Sequence, residues 1–379
     1  MFEYSEDHKS VMQLIREFAE AEIKPMAQEL DKTGRFPSET VEALAKMGFM
    51  GLNVSEEFGG AGLDEVFLVI VVSEIARCCA ATAEMFAVHM LVNNIIQKNA
   101  NQEQKTEYLR RAVSGRLGAF ALTEPGAGSD AAGLRTKATK DGNSYVINGT
   151  KCFISNMGPD EGDYAIVIAV TDPQKGTRGG MTAFIVDRDT PGFALGKIEE
   201  KMGMSAAVVS ELVFDNCRVP ESAVLGKVGD GFKIALSGLD GGRIGIAAQS
   251  VGLAQGAFEE GIKYAKERVQ FGKPIIENQG LRWYVADMAT RIEAARLLTL
   301  QAAHTRKAGL NASKYASMAK YYASETAVYV CDLALQLHGG YGYIKDYPIE
   351  RMYRDARILR IYEGTSEVQK IVIAKEVLK

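Results

Sequence analysis

The sequence predicts an α+β chain in the order α, β, α. An N-terminal all-α domain is expected over residues 1–116, a middle β-barrel or sandwich domain over 117–225, and a C-terminal four-helix bundle over 226–379. Three observations carry this reading. Apolar residues recur at spacings of three and four in the first third, short β-rich runs punctuated by turn residues fill the middle, and long amphipathic stretches return after Gly229-Asp230-Gly231.

In the first third the helical period is set by Val11, Leu14, Ile15 and Phe18, then Val41, Leu44 and Met47, then Ile70, Ile75 and Ala76, with turn signals at residues 36–38 and 57–62. The middle third holds YVING from Tyr145, YAIVIAV from Tyr164, MTAFIV from Met181 and ELVF from Glu211. These runs are separated by Asp141-Gly142-Asn143, Asp172-Pro173, Arg178-Gly179-Gly180 and the NCRVP segment from Asn216, the spacing of an antiparallel barrel or sandwich. Four amphipathic stretches follow, over 246–268, 279–307, 312–337 and 366–378, joined by short links as in a helix bundle. There is no internal repeat and no low-complexity segment.

Composition narrows the function. With 379 residues, 47% of them hydrophobic, the chain has room for two or three packed regions and a buried pocket. A net charge of -4 leaves no basic face for a nucleic-acid backbone, so no nucleic-acid partner is expected. The five cysteines form no C-x-x-C pair and the four histidines are scattered at 8, 89, 304 and 338, so neither a disulfide framework nor a metal site is indicated. The N-terminus lacks the basic start and apolar core of a secretion signal, and the longest apolar run, 66–72, falls far short of the roughly 20 residues a bilayer span needs. The expectation is a cytoplasmic protein without membrane insertion, or a processed form such as one of the mitochondrial matrix.

Several stretches could carry chemistry. The segment FALTEPGAGSDAAG, 120–133, is not a dinucleotide fingerprint: Gly126-Ala127-Gly128 is followed by Ala131 instead of a third glycine, and strands lie downstream instead of a helix. Two readings remain, a tight turn without a ligand and a strand end whose free amides, with Thr123 and Ser129, suit a phosphate and the polar edge of a flat cofactor. Phe153 and Ser155 stand two apart, so one ring could cover a planar group while the hydroxyl bonds its edge. Arg268 closes a predicted helix, either as a cation favoured by the dipole or as a phosphate ligand, with Phe271 beside it. Gly241 and Gly242 lie inside a helical stretch at a cost of about 1 kcal/mol each relative to alanine, which suggests close approach of a ligand tail. His338 in QLHGGYG reads as structural. In IYEGTSEVQ, 361–369, Ser366 and Gln369 spell a capping box, so Glu363 sits on the turn ahead of a helix and by itself reads as a solvated carboxylate.

Taken together, LTEPGAGSD (122–130), RVQFGKP (268–274), LQLHGGYGY (335–343) and MYRDARILRIYEGTSEVQ (352–369), in α, β, α order, resemble the acyl-CoA dehydrogenase family from about residue 5 to the C-terminus. The resemblance implies FAD as cofactor and Glu363, the glutamate of the Y-E-G-T motif, as catalytic base. It implies flavin contacts from Phe120, Leu122, Thr123, Ser129, Phe153 and Ser155. It brings Arg268, Gln270, Phe271, Gln279, Gln336, Gly339 and Gly340 from a neighbouring subunit, hence a homo-oligomer, usually a tetramer. Thr365 and Glu367 match adenosine-side contacts, Glu367 departing from the Gln common there. Substrate contacts fall on Ser129, Asp240, Arg243, Tyr362 and Gly364. A subset of the family carries its base immediately before the arginine matching Arg243, where this sequence has Gly242.

The implied reaction is α,β-dehydrogenation of an acyl-CoA thioester to the trans-2-enoyl-CoA, with electrons passed to an electron-transferring flavoprotein. Burial should raise the pKa of Glu363, and Gly364 should leave room for the thioester. The run DGGRIGIAAQ is similar to short-chain, butyryl-type members, whereas EMFAVHMLVNN (84–94), at the pocket floor, is not typical of them. No arginine stands at Thr82 to hold a second carboxylate. Enoyl-CoA reduction and aryl or branched acyl groups stay open on the same scaffold, as do an acyl-CoA oxidase and a non-catalytic acyl-CoA-binding protein.

Overall fold

The computed structural model describes residues 4–379. The chain opens with helices α1 (Glu6–Phe18), α2 (Ala27–Thr33), α3 (Ser38–Lys46), α4 (Glu65–Cys78) and α5 (Ala80–Asn99), followed by the short turns α6 (Gln102–Gln104) and α7 (Arg110–Val113). The Asp64 carboxylate caps α4 by accepting from the Val66 N–H at 2.8 Å. The apolar run inside α4 is buried on every side, which makes α4 a central helix of the core instead of a half-exposed one.

The sheet contains β1 (Gly118–Ala121), β2 (Lys137–Asp141), β3 (Ser144–Ser155), β4 (Tyr164–Val170), β5 (Met181–Asp187), β6 (Phe193–Ile198), β7 (Val209–Pro220) and β8 (Val224–Leu225) in the order β6-β7-β3-β2-β4-β5-β8. It is mixed, not wholly antiparallel as the turn spacing suggests. β1 runs parallel to the first half of β4, from Gly118 opposite Tyr164 to Ala121 opposite Val167, and β2 joins the end of β4 in parallel at Val170. The two strands share one edge of β4, so the chain leaves the sheet after Ala121 and rejoins it at Lys137. The intervening loop is thereby held on the sheet's rim. β4 is buried on both faces: Tyr164, Ile166 and Ile168 pack with Leu91 and Ile95 of α5, and Ala165, Val167 and Ala169 pack with Phe184 and Leu212.

The helices resume with α8 (Gly231–Glu267), roughly 55 Å long at about 1.5 Å per residue, which passes unbroken through Gly241 and Gly242. A hairpin of β9 (Val269–Gln270) and β10 (Lys273–Pro274) leads to α9 (Gln279–Lys307), α10 (Ser313–His338), α11 (Ile349–Ala356) and α12 (Ser366–Val377). α11 is an addition to the predicted four helices. Its buried face mixes Ile349 and Met352 with Arg351 and Asp355, so the apolar period is broken. The two helical regions share one core, in which Ile15, Ile70, Phe86, Val251, Val330 and Met352 meet. Among the described residues no helix is long and apolar enough to cross a membrane.

Candidate active site

Glu363 lies on the turn between a single 3₁₀ turn, Arg357–Arg360, and α12. Both Glu363 and Gly364 have left-handed backbone, with φ of 52° and 89°. For glutamate this costs free energy and persists only where the surroundings over-determine it. Here they do: Gln369 Nε2 donates to the carbonyls of Glu363 (3.0 Å) and Gly364 (2.9 Å), and Lys320 Nζ donates to the Gly364 carbonyl at 2.7 Å. Gln369 and Lys320 are fully buried. The capping residue of α12 is Thr365, whose hydroxyl accepts from the Val368 N–H at 3.3 Å, not Ser366 as the S-x-x-Q pattern suggests. The pattern misleads because Gln369 turns back to clamp the preceding turn. A side chain at Gly364 would also meet Gln369, its Cβ falling 2.6 Å from Nε2, so this glycine is required by the clamp and by its φ as much as by any ligand.

The Glu363 carboxyl is sealed on one side and open on the other. The residue keeps partial exposure, while Oε2 itself is buried and has no hydrogen-bond partner. Burial pushes its pKa up to about 7, against the pull of Arg243 and Lys320 and with a further push from Glu84. Gly242 of α8 faces this carboxyl, and a Cβ there would stand 2.6 Å from Oε2. The space before Arg243 is therefore kept for Glu363 and not for a ligand tail. Position 242 and the Glu363 carboxyl, the two base positions that the resemblance implies, thus meet at one spot. Tyr362, next to Glu363, donates its hydroxyl to Gln249 Oε1 of α8 at 2.5 Å, and Arg243 pairs with Asp240 at 2.7 Å.

The candidates of the β region gather around the 122–136 loop. Phe120 is half-buried on β1, Leu122 is buried, and Thr123 is half-buried with its carbonyl accepting from the Cys152 N–H at 3.0 Å. Ser129 is exposed beyond Gly126 and Gly128, where an added Cβ would meet nothing. What fixes the loop is a pair that sequence reasoning passed over. Lys151, fully buried on β3, donates to Glu124 Oε1 (2.8 Å) and to the Leu122 carbonyl (2.9 Å). Glu124 also accepts from the backbone N–H groups of Arg135 (2.6 Å) and Thr136 (2.9 Å). Burial alone would raise Glu124, and the Lys151 ammonium outweighs it, leaving the pKa lowered; burial drops Lys151 to about 8 despite that partner. A lysine inside a strand is a readable oddity, but its partner is not.

The register of β3 slips between Lys151 and Ile154, and Phe153 sits in that bulge at φ 57° with 64% of its surface exposed. Its ring is thus turned out of the sheet. Ser155 donates its hydroxyl to Glu84 Oε1 of α5 at 2.8 Å instead of standing free.

A second group gathers at the far end of α8. Arg268, Gln270, Gln336, Gly339 and Gly340 line one groove of about 510 Å³ together with Tyr264, His338 and Tyr341. The Arg268 guanidinium lies over the Tyr341 ring at 5.3 Å, and His338 stacks on Tyr264 at 4.3 Å with Nδ1 against the Ala334 carbonyl at 2.7 Å, a structural role as expected. Phe271, at the tip of the hairpin, is 97% exposed, and Gln279 is exposed at the start of α9. Glu367 is exposed on the first turn of α12, while the Thr365 hydroxyl is engaged in its cap. This groove shares no residue with the surroundings of Glu363.

Comparison with known proteins bears on this geometry. Sequence models of the acyl-CoA dehydrogenase N-terminal, middle and C-terminal domains match residues 5–116, 119–217 and 229–378. The chain is 49% identical to an acryloyl-CoA reductase (NADH) of Anaerotignum propionicum, over 100% of this chain and 96% of the relative. It is 46% identical to subunit CarC of the caffeyl-CoA reductase-Etf complex of Acetobacterium woodii, over 99% of each. Its fold is similar to the structure of butyryl-CoA dehydrogenase from Megasphaera elsdenii, with a TM-score of 0.97, 41% identity and full coverage of both chains.

Proposed function

The chain belongs to the acyl-CoA dehydrogenase family of FAD-dependent oxidoreductases acting on CH–CH bonds, and we propose that it interconverts a short acyl-CoA and its trans-2-enoyl-CoA with Glu363 as the base. The observation that carries this reading is the Glu363 carboxyl itself. It is held on an over-determined turn, with one oxygen free of partners and a pKa raised to about 7.

The residues present fit FAD. Phe153 offers an exposed ring beside a loop whose Gly126 and Gly128 leave backbone amides open, and the Arg268 groove offers a cation beside glycines that no neighbour crowds. In this reading Phe120, Leu122, Thr123, Ser129, Phe153 and Ser155 hold the ring and pyrophosphate, with Thr365 and Glu367 toward the adenosine. Arg268, Gln270, Phe271, Gln279, Gln336, Gly339 and Gly340 serve the cofactor of a neighbouring copy, which makes the enzyme an oligomer, taken here as a tetramer. The chemistry that bound FAD supplies is acceptance of the β hydrogen as hydride.

The chain's own part is to move the α proton. Glu363 takes it with Oε2, and a raised pKa makes the carboxylate a stronger base while leaving it ionised in useful amount near neutrality. The N–H of Glu363 makes no hydrogen bond among the described residues and is available to the thioester oxygen, where one such donor is typically worth about 3 to 4 kcal/mol. Asp240 and Arg243 are assigned to the CoA portion, and Ser129, Tyr362 and Gly364 to the acyl thioester. A short acyl group is supported by the closure of the pocket, since α5 and α8 approach until a Cβ at Gly245 would touch Ala87 Cβ at 3.5 Å. In the reductive direction the same carboxyl, protonated, returns the α proton, and the 49% identity to an acryloyl-CoA reductase favours keeping that direction as the second reading. We assign electron exchange to an electron-transferring flavoprotein, supported by the relative from an Etf complex, and place the enzyme in the cytoplasm.

The test is a panel of acyl-CoAs of increasing length scored by bleaching of the flavin absorbance. Bleaching is expected to be fastest near butyryl-CoA; a purified yellow protein that no acyl-CoA bleaches would sink the reading. The pH dependence has a defined sign. Because the carboxylate is the active form, kcat/KM for dehydrogenation rises with pH through about 7, roughly tenfold between about pH 6 and about pH 8, as a stopped-flow series in one ionic strength would show.

A further inference from the structure

Glu84 is 4% exposed, and the only hydrogen bond of its side chain among the described residues is the one received from Ser155 at 2.8 Å. Among the described residues no cation forms an ion pair with it; burial raises its pKa against the pull of half-buried Lys201. Its carboxyl group accepts from Ser155 through Oε1 alone, which leaves Oε2 able to take a further donor.

Its place in the fold is specific. Ala80, Glu84 and Ala87 share one face of α5, and Gln249, Gly245 and Gly242 share one face of α8. Gln249 Nε2 donates to the Ala80 carbonyl at 2.8 Å, Gly245 approaches Ala87, and Gly242 faces Glu363, so these two faces oppose each other. Tyr362 closes the same space through its bond to Gln249, and Glu84 acts electrostatically on both Tyr362 and Glu363. Glu84 therefore lies between Ala80 and Ala87 on the α5 face that opposes Gly242, Gly245 and Gln249, the face of α8 onto which Glu363 opens. A carboxyl group on such a face costs free energy unless a ligand group completes its hydrogen bonding.

We propose that Glu84 is a specificity-determining residue that hydrogen-bonds a hydroxyl carried by the acyl group beyond its β carbon. The proposal rests on Glu363 being the base, which fixes where the α carbon lies. An alkyl chain leaves the carboxyl group with Ser155 alone, whereas a hydroxyl donates to its second oxygen. A site of that kind discriminates strongly against the analogue lacking the polar group.

The test compares kcat/KM within matched pairs that exchange hydroxyl for methyl: 4-hydroxybutyryl-CoA against pentanoyl-CoA, and 3-(4-hydroxyphenyl)propionyl-CoA against 3-(4-methylphenyl)propionyl-CoA. The wild-type holoenzyme is expected to favour the hydroxyl member of at least one pair by about tenfold or more. Glu84→Gln, which keeps an acceptor oxygen, retains that preference; Glu84→Leu loses it and moves toward the methyl member. Should the leucine variant fail to fold, Glu84→Ala makes the same comparison. A wild-type enzyme favouring the methyl member in both pairs, or an unchanged preference in the apolar variant, overturns the proposal. Absence of bleaching by every acyl-CoA overturns the assignment of the base and this proposal with it, whereas bleaching without preference overturns this proposal alone.

Discussion

Glu363→Gln is expected to keep its flavin and its affinity for acyl-CoA while the rate of flavin bleaching falls by about 10²- to 10⁴-fold, the range a positioned general base supplies. The substitution is nearly isosteric, and the bonds that shape the turn are made by the Glu363 and Gly364 carbonyls, not by the side chain, so the backbone geometry should survive. No other group can take over. Lys320, a buried cation that acts on Glu363, is committed to the Gly364 carbonyl, and the Glu84 carboxyl group is engaged by Ser155. The position of Gly242 provides a stricter form of the test. Its missing Cβ would stand 2.6 Å from Glu363 Oε2, so a carboxylate grown from position 242 reaches the same space once that at 363 is gone. Gly242→Glu alone is expected to disrupt the site by collision, while Glu363→Gly with Gly242→Glu should recover part of the lost bleaching rate. Bleaching at the wild-type rate in Glu363→Gln would remove the base from the mechanism.

The α, β, α order was legible because it rests on period, and burial enforces period: a strand such as β4 and a helix such as α4 must show apolar runs of characteristic length. α11 was missed because its buried face includes Arg351 and Asp355, whose partners lie in other elements, Asp355 accepting from the Met204 N–H at 2.5 Å. The parallel pairing of β1 with β4 was missed because turn spacing reports neighbours in sequence, and this pair is joined across a long excursion. At the site, the candidates were legible as motifs while their arrangement was not. Gly242 read as room for a ligand because nothing local reveals that Glu363 is the group approaching it. Glu124 and Lys151 went unread because each is unremarkable alone, and the low dielectric that makes the pair matter exists only after folding.

That pair sets the second large effect. Lys151→Met is expected to destabilise the fold by about 3 to 5 kcal/mol, because it strands a buried carboxylate whose charge nothing else balances. Burial works against both groups, as the lowered pKa of Lys151, about 8, records, and only their mutual contact with the Leu122 carbonyl and the Arg135 and Thr136 N–H groups makes the arrangement tolerable. Removing both charges should therefore be milder than removing one. Lys151→Met with Glu124→Gln keeps an acceptor for the 135–136 amides and leaves no unpaired ion, so its urea midpoint should lie between the single variant and the wild type. Lys140→Met offers the contrast: that lysine pairs with Glu221 at 2.6 Å, a shorter contact, but both partners are half-exposed, and loss of the pair should leave the midpoint near that of the wild type. Because the stranded carboxylate belongs to the 122–136 loop and ties its two ends together, Lys151→Met should also release flavin more readily than Lys140→Met at equal denaturant. A Lys151→Met variant as stable as the wild type, with its flavin retained, would mean that the loop is held by its backbone bonds alone.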